Sequence, residues 1–175
     1  RNFFLPGLIV LALVAVAIFL YLHRPLRVAD AAVTHTAVLP THTVFAAGSM
    51  VVGSQHQTED EFFVLATVRI ANKLDLPIYI KDLTGTLTAP DDSDITTSAI
   101  EKNNLDSLYI TFPSLKPLAT TPLLRETGIP PGQSAEGMVL LHFPVDQAAW
   151  DQRKSATIAI DLYHQPTVIV TIPKP

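Results

Sequence analysis

The hydrophobic pattern divides the chain into two unlike parts. From Phe3 to Leu22 it reads FFLPGLIVLALVAVAIFLYL, with no charged residue. As a helix rising about 1.5 Å per residue, this stretch covers about 30 Å, the thickness of a bilayer's hydrocarbon core. A helix satisfies its own backbone polar groups, the condition for sitting in lipid. Pro6 falls in the first turn, where its missing N–H costs little. The pattern predicts a membrane anchor over residues 1–23. Phe3, Phe19 and Tyr21 are its large side chains toward lipid and interface, and Gly7, Ala12 and Ala15 are small positions where another helix could approach. A cleaved leader is the alternative, since Ala29-Asp30-Ala31 has a small-x-small form. The apolar run exceeds the roughly 7–15 residues of a leader's core, so an uncleaved anchor is expected.

After a juxtamembrane linker over 24–31, the period changes to two. In FFVLATVRIAN, Phe62, Val64, Ala66, Val68 and Ile70 share one parity, while the other holds Thr67 and Arg69. That alternation predicts a half-buried strand. Residues 72–77 make a turn. Ile78 and Ile80 continue in even parity, but Leu83 and Leu87 are odd, which predicts a bulge near Lys81-Asp82. Pro130-Pro131-Gly132-Gln133 is a turn signal. GMVLLHF, ending at Phe143, is apolar on both faces, as a central strand would be. Ala156, Ile158, Ile160 and Leu162 alternate with more polar neighbours. A turn over 164–167 precedes a last strand with Val168, Val170 and Ile172. Earlier, in THTAVLPTHT, His35 shares parity with Val33, Ala37 and Leu39, which puts it on an apolar face, and Pro40 interrupts the strand.

Two segments predict helices. Leu105, Leu108, Tyr109 and Phe112 fall at i, i+3, i+4 and i+7, with Asn103 or Asn104 as cap and Pro113 as stop. Residues 146–154 predict a short helix whose Trp150 packs on the body, and 91–97 and 114–129 read as loop. The expected fold is all-β: an antiparallel β-sandwich over 32–175 with one or two short helical insertions, preceded by a single transmembrane helix.

This order resembles a known group. FFVLATVRIANKLDLPIYIKDLTGTL and IPPGQSAEGMVLLHFPV are similar to the two core blocks of membrane-anchored, immunoglobulin-like domains of unknown function from bacteria. Their layout is shared by the late-embryogenesis-abundant sandwich domains of plants. The resemblance covers roughly residues 60–172 and implies an immunoglobulin-like, non-catalytic sandwich on a membrane tether. It supplies no catalytic residues.

Composition narrows the chemistry. Arg1, Arg24 and Arg27 are three of the 12 Lys and Arg; the nine that follow face 16 Asp and Glu, a net of −7. Scattered charges of that sign exclude a nucleic-acid surface, which needs clustered cations. The absence of cysteine excludes disulfides and thiolate chemistry. A zinc site would need three or four ligands converging from His35, His42, His56, His142 and His164, and no spacing signals it. Asp91, Asp92, Asp94 and Glu101 lack the glycine and terminal glutamate of a calcium loop. No Gly-x-Ser-x-Gly, phosphate loop or paired-His motif is present. No enzyme activity, cofactor or metal is expected.

The expectation is a single-pass accessory or scaffold subunit of the cell membrane, in contact with lipid and an integral membrane partner. Apolar side chains for such a contact are Leu105, Leu108, Tyr109, Phe112, Leu115, Leu118, Leu123 and Leu124. The alternative is a tethered binding module for a small apolar or lipid ligand, seated between sheets or under the helix that ends at Phe112. One Arg before the apolar run and two after it favour a cytoplasmic domain by the positive-inside rule. The sandwich type favours the extracytoplasmic side, which is the expectation kept.

Overall fold

The computed structural model describes residues 4–22, 27–45 and 57–174, with side chains described except at 4–8, 17, 20–22, 43–45 and 57–59. Two antiparallel sheets form the body. One has the order β1 (Ala29–Phe45), β2 (Gln57–Asn72), β6 (Ser134–Phe143). The other has the order β4 (Asp94–Ser98), β3 (Ile78–Thr88), β7 (Ser155–Leu162), β8 (Gln165–Thr171), with the two-residue β5 (Gly128–Ile129) also on β3. The even residues of β2 meet Ile80, Leu83 and Leu87 of β3 and Ile158 and Ile160 of β7 in one buried cluster. Each such side chain contributes about 1.5–3 kcal/mol by leaving water, so this inter-sheet core is the main stabilising layer.

Of the odd residues of β2, Arg69 is exposed and Thr67 half-buried, as alternation predicts, but the first part of that face is not open to solvent. Phe63 and Leu65 are 1% and 2% exposed, packed with Met138 and Leu140 of β6 and with Leu105 and Leu115 in a second cluster. The helix α2 (Lys102–Thr111) and the 3-10 turn Pro113–Leu118 lie over this face. The first sheet is therefore buried on both sides, which explains GMVLLHF. Its strand β6 is not central: it is an edge, and neighbouring chain satisfies its free side. Ile100 donates its N–H to the Leu140 carbonyl, and Leu123 donates to Met138. A Cβ on Gly137 would lie 2.7 Å from the Leu123 nitrogen, so this close crossing needs glycine.

Bulges set the faces. The expected irregularity in β3 occurs between Ile80 and Asp82, and the burial alternation restarts there in odd parity. A second bulge, between Val33 and His35, was not legible. It inserts Thr34 and reverses every later side chain of β1. Val33 packs on the inter-sheet core, whereas Ala37 and Leu39 pack on the second cluster. His35 is exposed rather than seated on an apolar face. Pro40 does not interrupt the strand either; it pairs in register with Phe62. Both Pro40 and Pro166 lie in the sheet-edge strands β1 and β8, where a missing N–H breaks no ladder.

Several boundaries differ from the sequence reading. Val28 and Ala29 are already buried, so the β body begins before residue 32. Residues 94–98 form β4, and 114–129 contain the 3-10 turn and β5. The last turn is tighter than 164–167: Leu162 pairs with Gln165, and His164 takes a positive φ of 57°. Glu101, not Asn103 or Asn104, is the N-cap residue of α2, and its side chain makes no capping bond. Its carboxylate is held instead by Arg125 Nη1 at 2.6 Å.

The helix α1 (Phe4–Leu22) joins neither core cluster. Ile9, Val10, Leu11 and Leu13 are all more than half exposed. At 100° per residue these four leave one side open, and the exposed Val16 and Phe19 fill it, so apolar side chains point around the whole circumference. Among the described residues no helix is long and apolar enough to cross a membrane, so the expected span is not shown by this helix.

Candidate functional site

The predicted contact residues separate on folding. Leu105, Leu115 and Leu123 are core, 6%, 0% and 8% exposed, and present no surface to a partner. Leu108, Tyr109 and Phe112 are half-buried against the second cluster, because the same periodicity that makes α2 amphipathic turns them inward. Burial, with Asp106 nearby, raises the Tyr109 pKa. Leu124 is half-buried, and only Leu118 is exposed. The face under α2 packs Phe63, Leu65, Leu105 and Leu140 together. Of the anchor positions, Phe3 lies outside the described residues. Gly7, Ala12, Ala15, Phe19 and Tyr21 all fall within α1.

Among the described residues the histidines do not converge. His35 and His42 lie after the same bulge with odd spacing, which places them on opposite faces of β1. His42 Nδ1 is 2.6 Å from Asp60 Oδ1, and His142 Nε2 is 3.5 Å from Glu61 Oε1. His164 sits in the β7–β8 turn, and His56 lies outside the described residues. Among the described residues no group of three or more His, Asp or Glu could hold a metal ion. The acidic loop is tied to local donors. Asp91 accepts from the backbone and hydroxyl of Ser93, which lower its pKa, and Asp94 accepts from Thr88. Asp92 pairs with Lys154.

A different cluster is organised around α3 (Gln147–Gln152). Asp146 caps it by accepting the Ala149 N–H at 2.7 Å. Asp146→Ala is expected to cost about 1 kcal/mol of stability, read as a lower denaturant midpoint with an unchanged slope. The helix carries Trp150, stacked on Phe62 with centroids 4.8 Å apart, over the end of the inter-sheet core. Three residues on, the Arg153 guanidinium lies 3.9 Å from the centroid of a Trp150 ring. It is 1% exposed, and no carboxylate forms an ion pair with it among the described residues. Nη1 donates to the Trp150 carbonyl at 2.8 Å and Nη2 to the Pro173 carbonyl at 3.2 Å. Nε has no partner. Burial lowers the Arg153 pKa and the charge of nearby Asp151 opposes that shift; an arginine stays charged regardless.

Between α3, β1 and the chain beyond β8 is a cavity of about 480 Å³, lined by Val33, Thr36, Val38, Trp150, Arg153 and Lys174 among others. Thr36 Oγ1 is buried and, like Arg153 Nε, has no partner. Two of the three orphaned buried side-chain polar atoms found among the described residues therefore belong to residues of one cavity wall. The sequence reading placed Trp150 on the body but missed Arg153 and Thr36. A Trp-x-x-Arg spacing on a helix was the available signal for the first. Nothing local signals the second, because the Thr34 bulge decides which way Thr36 faces.

No protein family and no curated protein matches the chain. Solved structures similar to it include a structural genomics target, SoR45, at 8% identity and a TM-score of 0.33, covering 79% of this chain and 82% of that one. Another is a functionally unknown protein from Listeria monocytogenes EGD-e, at 10% identity and a TM-score of 0.40, covering 83% of this chain and 88% of that one.

Proposed function

We propose that the chain is a membrane-anchored, non-catalytic accessory module, its β-sandwich held on the extracytoplasmic side against a larger membrane complex. The observation that carries this reading is α1. It runs 19 residues without a charge, and its described apolar side chains are exposed on every face. In the sequence the uncharged run is 20 residues from Phe3 to Leu22, which as a helix would cover about 30 Å. A helix that is apolar all round is stable only when lipid or protein surrounds it. Leu118 and the 80%-exposed Ile110 of α2 offer the sandwich a small apolar contact.

An immunoglobulin-like arrangement is the finer fold reading. Setting aside the short β5, the first, second and fifth strands form one sheet, and the third, fourth, sixth and seventh the other. This differs from the constant-type immunoglobulin order by moving the fourth strand across.

The full chain is expected to remain with membranes through alkaline carbonate washing and to leave them only in detergent. A chain that is monodisperse in water without detergent overturns the anchor. Because the sequence has no cysteine, a single Asp75→Cys replacement reports topology: a membrane-impermeant maleimide labels it on intact cells if the sandwich lies outside. Crosslinking in native membranes then tests the partner, and a lone monomer there counts against an accessory role. The cavity beside Arg153 favours the second reading, a tethered binding module.

A further inference from the structure

We propose that the open edge of β1 is a self-association surface, on which two copies of this chain pair antiparallel about Ala37; the pairing rests on the reading of α1 as a membrane anchor. Among the described residues β1 pairs with β2 alone. The direction of its backbone groups follows from the neighbouring ladder. Met138 and Leu140 turn theirs outward, to Thr121, Leu123 and Ile100, so Thr67 and Leu65 opposite them bond to β1. Bonded and non-bonded pairs alternate along an antiparallel ladder. His35, Ala37 and Leu39 therefore face β2, and Thr36, Val38 and Pro40 turn their backbone polar groups away from it. Pro40, which has no N–H, falls in the outward set, where a sheet tolerates it. A row of alternating donors and acceptors is satisfied by another strand.

Charge and register select a second copy as that strand. From Ala31 to Phe45 β1 carries no Asp, Glu, Lys or Arg, although the chain as a whole is acidic. Two acidic bodies meet here without like charges in the seam. Edge strands are commonly guarded by charge, and here the guards are the Thr34 bulge at one end and Pro40 at the other. The window between them is symmetric. Antiparallel pairing about Ala37 lets Thr36 and Val38 of each copy exchange N–H and C=O groups with Val38 and Thr36 of the other. Pro40 then lies opposite Thr34, so the missing donor meets the residue that the bulge has already taken out of the ladder. Residues opposite each other in a ladder share a face. The incoming Thr36 and Val38 side chains thus point to the side of the cavity of about 480 Å³ that Thr36 and Val38 line, where there is space for them. Residues 35–39 as a strand span only about 17 Å, whereas a stable interface buries about 800 Å² per partner. The seam is therefore weak by itself, and confinement of both copies to one membrane supplies the effective concentration it needs.

The chain has no cysteine, so single replacements in the full chain read the seam. In a non-hydrogen-bonded antiparallel pair the Cα atoms lie about 4.5 Å apart, within reach of a disulfide. Ala37→Cys in native membranes is expected to oxidise to a disulfide-linked dimer. Thr41→Cys lies on the same face of β1, but this register sets it against Val33. It and the exposed Asp75→Cys are expected to stay monomeric. Val38→Pro removes an outward N–H and no bond to β2. Combined with Ala37→Cys it is expected to leave the far-ultraviolet circular dichroism unchanged and to lose the crosslink. Should the double variant not fold, the contrast between Ala37 and Thr41 decides alone. Carbonate washing of the same membranes separates the two failures. A chain that washes off overturns the anchor and the pairing together. A chain that stays, while Ala37→Cys crosslinks no more than Thr41→Cys or keeps its crosslink with Val38→Pro in a folded protein, overturns the pairing alone.

Discussion

Replacing Phe63 with alanine is expected to lower the unfolding free energy by about 4 kcal/mol, within the range for deleting a buried aromatic side chain. Phe63 is 1% exposed, and its ring lies 4.8 Å from those of both Phe112 and His142. Its removal opens a cavity under α2, and the neighbours cannot close it without moving the helix. The measurement is a denaturant titration at two probes. Far-ultraviolet circular dichroism reports the sheets, and hydrogen exchange at residues 102–118 reports the cover. A half-buried strand with its odd face in water predicts a change within about 0.5 kcal/mol at this position. The two pictures therefore differ by far more than experimental error. An effect that small would mean that α2 does not cover the sheet.

Asn72→Ala is expected to cost about 3 kcal/mol. Asn72 is 2% exposed at the end of β2. Nδ2 donates to the carbonyls of Leu76 at 2.8 Å and Ile129 at 2.9 Å, and Oδ1 accepts the Leu74 N–H at 2.9 Å. One side chain thus closes the β2–β3 turn and ties it to β5. Alanine leaves buried backbone groups unpaired, the expensive way to lose a hydrogen bond. Asn72→Asp separates the two ends of the amide. It keeps the acceptor toward Leu74, but an ionised carboxylate faces two carbonyl oxygens. Those contacts and burial raise its folded pKa above the unfolded value. The aspartate variant therefore loses stability as pH rises above the unfolded pKa, and it is expected to lie closer to wild type at pH 4 than at pH 7. A pH-independent difference would show that the donor bonds contribute little.

These positions also show why some of the structure could be read from residues and some could not. Asn72 followed by Lys73, Asp75 and Pro77 is local turn chemistry, and the turn was expected there. The Lys81 bulge was legible because both sides of it carry an apolar stripe, so the parity change is written in Ile80 and Leu83. The Thr34 bulge was not. Beyond it, Ala37 and Leu39 keep the parity of Val33, and the pattern looks continuous although the faces have exchanged. That continuity is deceptive because the first sheet is apolar on both sides. The same ambiguity hid Phe63 and Leu65.

Local periodicity by itself determined the all-β character, the amphipathic α2, the short helix bearing Trp150 and the uncharged opening helix. It could do so because strand and helix place neighbouring side chains at fixed angles. The covering of the first sheet by α2, the reversal within β1 and the placing of Thr36 and Arg153 on one cavity wall were decided only in three dimensions. Each depends on which of two equally apolar faces meets which neighbour. That choice rests on pairing register and packing between segments as much as 117 residues apart, Thr36 and Arg153 themselves, and no window along the chain contains both.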